Sequence, residues 1–212
     1  MRLRRPLGSK LLISLFGLVV VFGLALYGGL AAAYSSGNFG SGTYGSCEYG
    51  VTCSISLTSN GNISLDITPT ANGSCTINSD SAAVLTDDSN GYTLTLSDSG
   101  TSTALINGAA TINTTTGTVG SPTTLSGNSW GYRIDGLGGF GAGPTTSQSN
   151  ISRPSTVFAG IVASNQTAET IATTSGAADP AVTTTVWFGA CADTGVSSGA
   201  YSTQVLYTAV AN

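Results

Sequence analysis

Thr183-Thr-Thr-Val-Trp-Phe-Gly-Ala-Cys-Ala-Asp-Thr-Gly-Val-Ser-Ser-Gly-Ala-Tyr-Ser-Thr-Gln-Val-Leu-Tyr-Thr-Ala-Val-Ala-Asn212 decides the fold. In its last third, Tyr201, Thr203, Val205, Tyr207 and Ala209 fall on one face of an extended chain, and Ser202, Gln204, Leu206, Thr208 and Val210 on the other. That is the two-residue period of a strand, not the 3.6-residue period of a helix. Upstream, Val182 to Ala192 places Val186, Phe188 and Ala190 on one side and Trp187, Gly189 and Cys191 on the other. The Asp193-Thr-Gly195 and Ser197-Ser-Gly199 clusters supply turn residues between the two runs, so the pair is expected to form a β-hairpin whose terminal strand is buried.

Outward from this stretch the same grammar repeats. Ser54 to Thr58 and Asn62 to Thr68 flank Asn60-Gly61, a hairpin-type turn, with Ile63, Leu65 and Ile67 on one face. Gly73 to Asn78, Ala82 to Thr86, the Tyr92-Leu94-Leu96 run, Thr103 to Ile112, Trp130 to Asp135 and Val157 to Val162 are further strand candidates. A Thr/Gly/Ser/Pro loop (114 to 127) and a glycine-rich loop (136 to 153) separate them. Seven to ten short strands and no amphipathic helix predict an all-β, antiparallel Ig-like β-sandwich over residues 47 to 212.

Charge partitions sharply. Four of the six basic residues lie in the first ten positions, and all ten acidic residues lie beyond position 33, so the remainder sets two arginines against ten carboxylates, a formal −8. Nucleic acid needs clustered Lys and Arg to neutralise phosphate, and is excluded as a partner on this balance. Met1 to Lys10 is a basic leader, Leu11 to Leu26 an apolar run, and Ala31-Ala-Ala33 a small-residue cleavage site. Export is expected, to the extracellular space or cell surface. Residues 1 to 33 are a signal peptide or, uncleaved, an apolar anchor helix; from Leu11 to Ala33 the run is long enough at about 1.5 Å per residue to cross a membrane, which makes residues 11 to 33 the sole membrane contact expected. A prepilin leader at Arg4-Arg-Pro-Leu-Gly8 is a further reading, but Ile13 stands where type IV prepilins place a glutamate. Residues 34 to 46, rich in Gly and Ser, read as a spacer.

Four cysteines in an exported chain, Cys47, Cys53, Cys75 and Cys191, are expected to form disulfides. Three connectivities are open. If Cys47 closes a local loop with Cys53, Cys75 ties an early strand to the penultimate one. Without histidine or CxxC spacing, metal binding by these thiols is not expected.

Several motifs carry less than their patterns suggest. Gly195 to Gly199 fits GxSxG, but the chain has no histidine and its single lysine lies in the leader, so no base is available to a serine nucleophile. Gly136 to Gly141 fits GxGxxG without the surrounding βαβ unit that would cradle a pyrophosphate. Asp80, Asp87, Asp88 and Asn90 carry calcium-type oxygens at a spacing matching no known loop. Five sequons, at Asn62, Asn72, Asn113, Asn150 and Asn165, exceed only slightly the roughly three that composition alone yields. No catalytic residue, cofactor or metal is assigned.

At Gly91-Tyr-Thr-Leu-Thr-Leu-Ser97, Trp130-Gly-Tyr-Arg133, Thr185-Val-Trp-Phe-Gly189 and the terminal strand, the chain resembles exported Ig-like β-sandwich surface proteins of the episymbiotic, reduced-genome candidate-phyla bacteria. The final strand alone is also similar to WxL-type and pilin-like sandwiches. The resemblance, over about residues 55 to 212, implies an envelope location and no enzymatic activity, and brings no established ligand. The expected role is a cell-surface structural or adhesion protein, with itself (fibre or layer) or a host or envelope surface as partner. Sortase or lysine isopeptide joints are unavailable, because no lysine follows Lys10. A carbohydrate-binding module is the alternative, with Trp130, Tyr132 and the nearby Phe140 as candidate contacts beside Trp187. Exposed coplanar rings support it; buried rings end it.

Overall fold

The computed structural model describes residues 53–212. The leader, the spacer, Cys47 and the cleavage site at Ala33 lie outside them. Among the described residues there is no helix, and the sheets are mostly antiparallel.

The larger sheet runs in the order β1 (Ile55–Ser59), β2 (Ser74–Thr86), β11 (Ala178–Ala192), β7 (Ser129–Arg133), β5 (Ala110–Thr114) and β4 (Leu105–Asn107). β8 (Gln148–Ile151) pairs with β2 near Cys75 and Ile77, on the edge that β1 leaves free. The smaller sheet is β10 (Glu169–Thr173), β3 (Tyr92–Asp98) and β12 (Val205–Ala211). A third, two-stranded piece joins β6 (Thr123–Thr124) to β9 (Val157–Phe158). The β5–β7 pairing is parallel, an exception to the antiparallel expectation.

Two cores result. Ala82, Val84, Val186, Phe188, Trp130 and Tyr132 of the larger sheet meet Tyr92, Leu94, Leu96 and Ile171 of the smaller one in a single apolar cluster. On the opposite face, Cys75, Ile77, Trp187 and Cys191 pack against Leu125 and Phe158. The central strands are therefore covered twice, which accounts for the unbroken burial from Val186 to Ala192 and for the small residues there. Gly189 has no room for a side chain: a Cβ would sit 2.8 Å from ring carbons of Phe158. At Gly131 a Cβ would meet the Ala159 carbonyl oxygen at 2.5 Å, where Tyr132 and Ala159 exchange backbone hydrogen bonds.

Three expectations are corrected. β11 and β12 do not form a hairpin: β11 pairs with β2 and β7, and β12 pairs with β3 in the other sheet. The turn residues from Asp193 serve a crossing between sheets. β12 is not enclosed either; it is an edge strand with Leu206 and Val210 exposed. Residues 62 to 68 do not pair as a strand, although Ile63, Leu65 and Ile67 still pack against the core. Side chains hold it alongside β2 and β8 instead: Thr76 Oγ1 donates to the Asp66 carbonyl and the Thr68 amide donates to Asn150 Oδ1.

Candidate functional site

Cys75 and Cys191 are directly opposed across β2 and β11, both buried, and joined by a disulfide that closes a separation of 116 residues. Cys53 is also disulfide-bonded; its expected partner, Cys47, lies outside the described residues.

The aromatic candidates are drawn into the interior. Trp130 is 2% exposed, Tyr132 0%, Phe140 3% and Trp187 6%. Trp130 donates its indole N–H to the Thr103 carbonyl at 2.9 Å, and Tyr132 meets Phe140 edge-on at 6.2 Å between ring centres. Trp187 lies on the other face of the sheet, in the second core. These rings form no exposed coplanar platform.

Arg133 organises the glycine-rich loop, a role that sequence reading missed. Wholly buried, it donates to the carbonyls of Val157, Phe140 and Gly141 at 3.1 to 3.3 Å and to Asp135 Oδ1 at 3.0 Å. Its guanidinium carbon lies 5.8 Å from the centre of the Phe140 ring. The signal was present: an arginine in an aromatic strand, preceding a loop of glycines that offer carbonyls, in a domain with one other arginine.

Beyond the last β7–β11 pair, Arg133 opposite Trp187, the β7 chain turns away through Ile134 to Leu137 while β11 continues back to Ala178. The gap is a cleft of about 480 Å³ lined by Asp135, Leu137, Ile171 and Thr183 to Thr185. It offers threonine hydroxyls and one carboxylate already held by Arg133. Such a lining can bind, and it pairs no nucleophile with a base.

The remaining motifs are placed as follows. Just before the GxSxG stretch, Asp193 Oδ1 accepts from the Gly195 amide at 2.8 Å and from Asn128 Nδ2 at 3.1 Å, which holds the Asp193 carboxyl below its usual value. Asp80 is buried in the middle of β2, whereas Asp88 caps the turn at Asn90, and no metal-holding group of three or more His, Cys, Asp or Glu occurs among the described residues. All five sequon asparagines are exposed, but Asn150 Oδ1 is occupied as the acceptor for Thr68. Between the sheets, the hydroxyls of Tyr92, Tyr132 and Tyr207 are buried, with Thr184 beside that of Tyr92 and Asp80 beside that of Tyr207. Burial raises the pKa of all three, with the Glu169 charge adding at Tyr132 and the Asp80 charge at Tyr207.

No protein-family model, curated protein or solved structure matches this chain, so its functional reading rests on its own residues.

Proposed function

We propose that this chain is an exported Ig-like β-sandwich displayed at the cell surface, acting as an adhesion protein or as a subunit of a non-covalent fibre or layer. The observation that carries the reading is the buried Cys75–Cys191 disulfide, built into the two central strands rather than added at the surface. Such a bond persists in an oxidising, extracytoplasmic compartment, in keeping with the basic leader and apolar run that precede the domain. The near-absence of basic residues from the domain favours solubility and disfavours anionic membranes as partners. With Trp130, Tyr132 and Phe140 buried, the carbohydrate-binding alternative loses the platform that motivated it.

Protease treatment of intact native cells, followed by non-reduced mass analysis of the released fragments, tests this. Fragments from residues 53–212 still linked through Cys75 and Cys191 are expected while a cytoplasmic marker survives. Full protection until lysis, or recovery with free thiols, would contradict the proposal.

A further inference from the structure

We propose that β12 is a self-pairing edge: two copies of the chain join antiparallel through Val205 to Ala211, with Thr208 opposite Thr208 of the second copy. The register between β12 and β3 runs unbroken from Val205 opposite Asp98 to Ala211 opposite Tyr92. At its two ends the Asn212 amide donates to the Gly91 carbonyl at 3.1 Å and the Ser99 amide to the Gln204 carbonyl at 2.8 Å. Antiparallel pairing alternates, so the even-numbered residues of β12 bond to β3. Val205, Tyr207, Ala209 and Ala211 turn their N–H and C=O groups outward, where no strand among the described residues pairs with them.

Two other edges are blunted, while β1, also free of charge and bulge, offers only five residues. β10 carries a bulge between Thr170 and Ala172 and the charge of Glu169; β4 has three residues and is covered where Ile106 and Ser202 exchange backbone hydrogen bonds. β12 has no proline, charge or bulge. It also carries the two most exposed large apolar side chains of the described residues, Leu206 at 49% and Val210 at 58%. An unguarded strand of that kind is a template for another strand.

The strand's own sequence selects a second copy as the occupant. Centred on Thr208, an antiparallel pair sets Leu206 against Val210 of the second copy and Val210 against its Leu206. The outward backbone of Tyr207 then bonds Ala209 of the second copy, and that of Val205 its Ala211. Sliding by two residues places Leu206 against Thr208 or Asn212 instead, and sliding by one turns the apolar side chains to opposite faces. The outer face of β3 beside the joint presents Thr93 and Thr95, with Ser97 buried, so like charges do not meet despite the acidic domain. Seven residues a side fall well short of the roughly 20 to 30 of a standard interface. The pair is therefore weak in dilute solution and strengthened wherever a surface concentrates copies.

This deepens the proposed subunit role and rests on it for the place where copies meet. The pairing itself is tested on purified full-length chain, so it and the surface location can fail separately. Thr208→Cys puts two thiols across a non-hydrogen-bonded pair at disulfide distance, whereas Leu206→Cys thiols lie four residues out of register. Under mild oxidation, Thr208→Cys is expected to form covalent dimers about tenfold faster than Leu206→Cys. Adding Ala209→Pro, which removes one outward N–H, is expected to reduce the rate to the control level. Equal rates for the two cysteines, or no effect of the proline, would overturn the proposal. Sedimentation of the unsubstituted chain against Leu206→Lys guards against misfolding of the cysteine variants: a concentration-dependent dimer lost in Leu206→Lys supports the pairing, and a monomer at all concentrations refutes it.

Discussion

β11 and β12 follow one another in the chain and share Val, Ala, Thr and a large aromatic, yet their surroundings differ completely. β11 is paired on both edges along Trp187 to Cys191 and covered on both faces; β12 is paired on one edge and covered on one face. The difference is written in side-chain size. Where two layers press on one strand, Gly189, Ala190, Cys191 and Ala192 replace larger residues, whereas β12 keeps a strict alternation of half-buried and exposed positions. Strong alternation marks a strand with one wet face, and a run of small apolar residues marks one with none.

The largest way to break this contrast is to cut the covalent tie in the covered pair. Replacing both Cys75 and Cys191 by alanine frees a loop of 116 residues and is expected to cost about 4 to 5 kcal/mol, read from the urea midpoint. Arg133→Met comes next, at about 2 to 3 kcal/mol, because two loop carbonyls and that of Val157 in β9 lose their donor while Asp135, partly exposed, recovers water. Gly189→Ala forces a methyl against Phe158 and Leu125 and is expected to cost about 1 to 3 kcal/mol, with a changed near-ultraviolet spectrum as the ring shifts. In β12, by contrast, Leu206→Lys lies on the wet face and is expected to change folding stability by less than about 0.5 kcal/mol.

The smallest effect sits in the crossing between the two strands. The Gly195 amide and Asn128 hold the folded Asp193 carboxyl below its unfolded value. Its contribution is therefore present above the ordinary carboxylate range and is lost as pH falls through the folded value. Asp193→Asn is expected to flatten the acid side of the stability profile, seen as a difference in urea midpoints that narrows from pH 5 downward.

Much of this was legible in the chain. The alternation at Tyr92, Leu94 and Leu96 located β3, and Ile55, Leu57 and the 82 to 86 run located β1 and the end of β2. The expectation of export made paired cysteines the reading, and Cys75, Cys191 and Cys53 are disulfide-bonded. What the chain did not declare was partnership. The turn residues at 193 to 199 suit a hairpin and a crossing equally well, and only the second core under Trp187 and Cys191 decides for the crossing. Asn62 to Thr68 carries a strand's alternation yet stays unpaired, while β8, from some 70 residues further on, pairs with β2. β10 went unseen because Ile171 is its one large apolar side chain. Trp130, Tyr132 and Phe140 were visible as aromatics near a loop; their burial depends on the smaller sheet and on Arg133, which no local pattern announces.

Amide hydrogen exchange along β12 tests the contrast most directly. At low protein concentration the amides of Leu206, Thr208 and Val210 are expected to be protected through β3, while those of Val205, Tyr207, Ala209 and Ala211 exchange freely and gain protection as concentration rises; throughout, the β2 and β11 amides are the slowest of the described residues. Uniform protection of all seven β12 amides at low concentration would show that the edge is already covered within one chain, and would contradict the account.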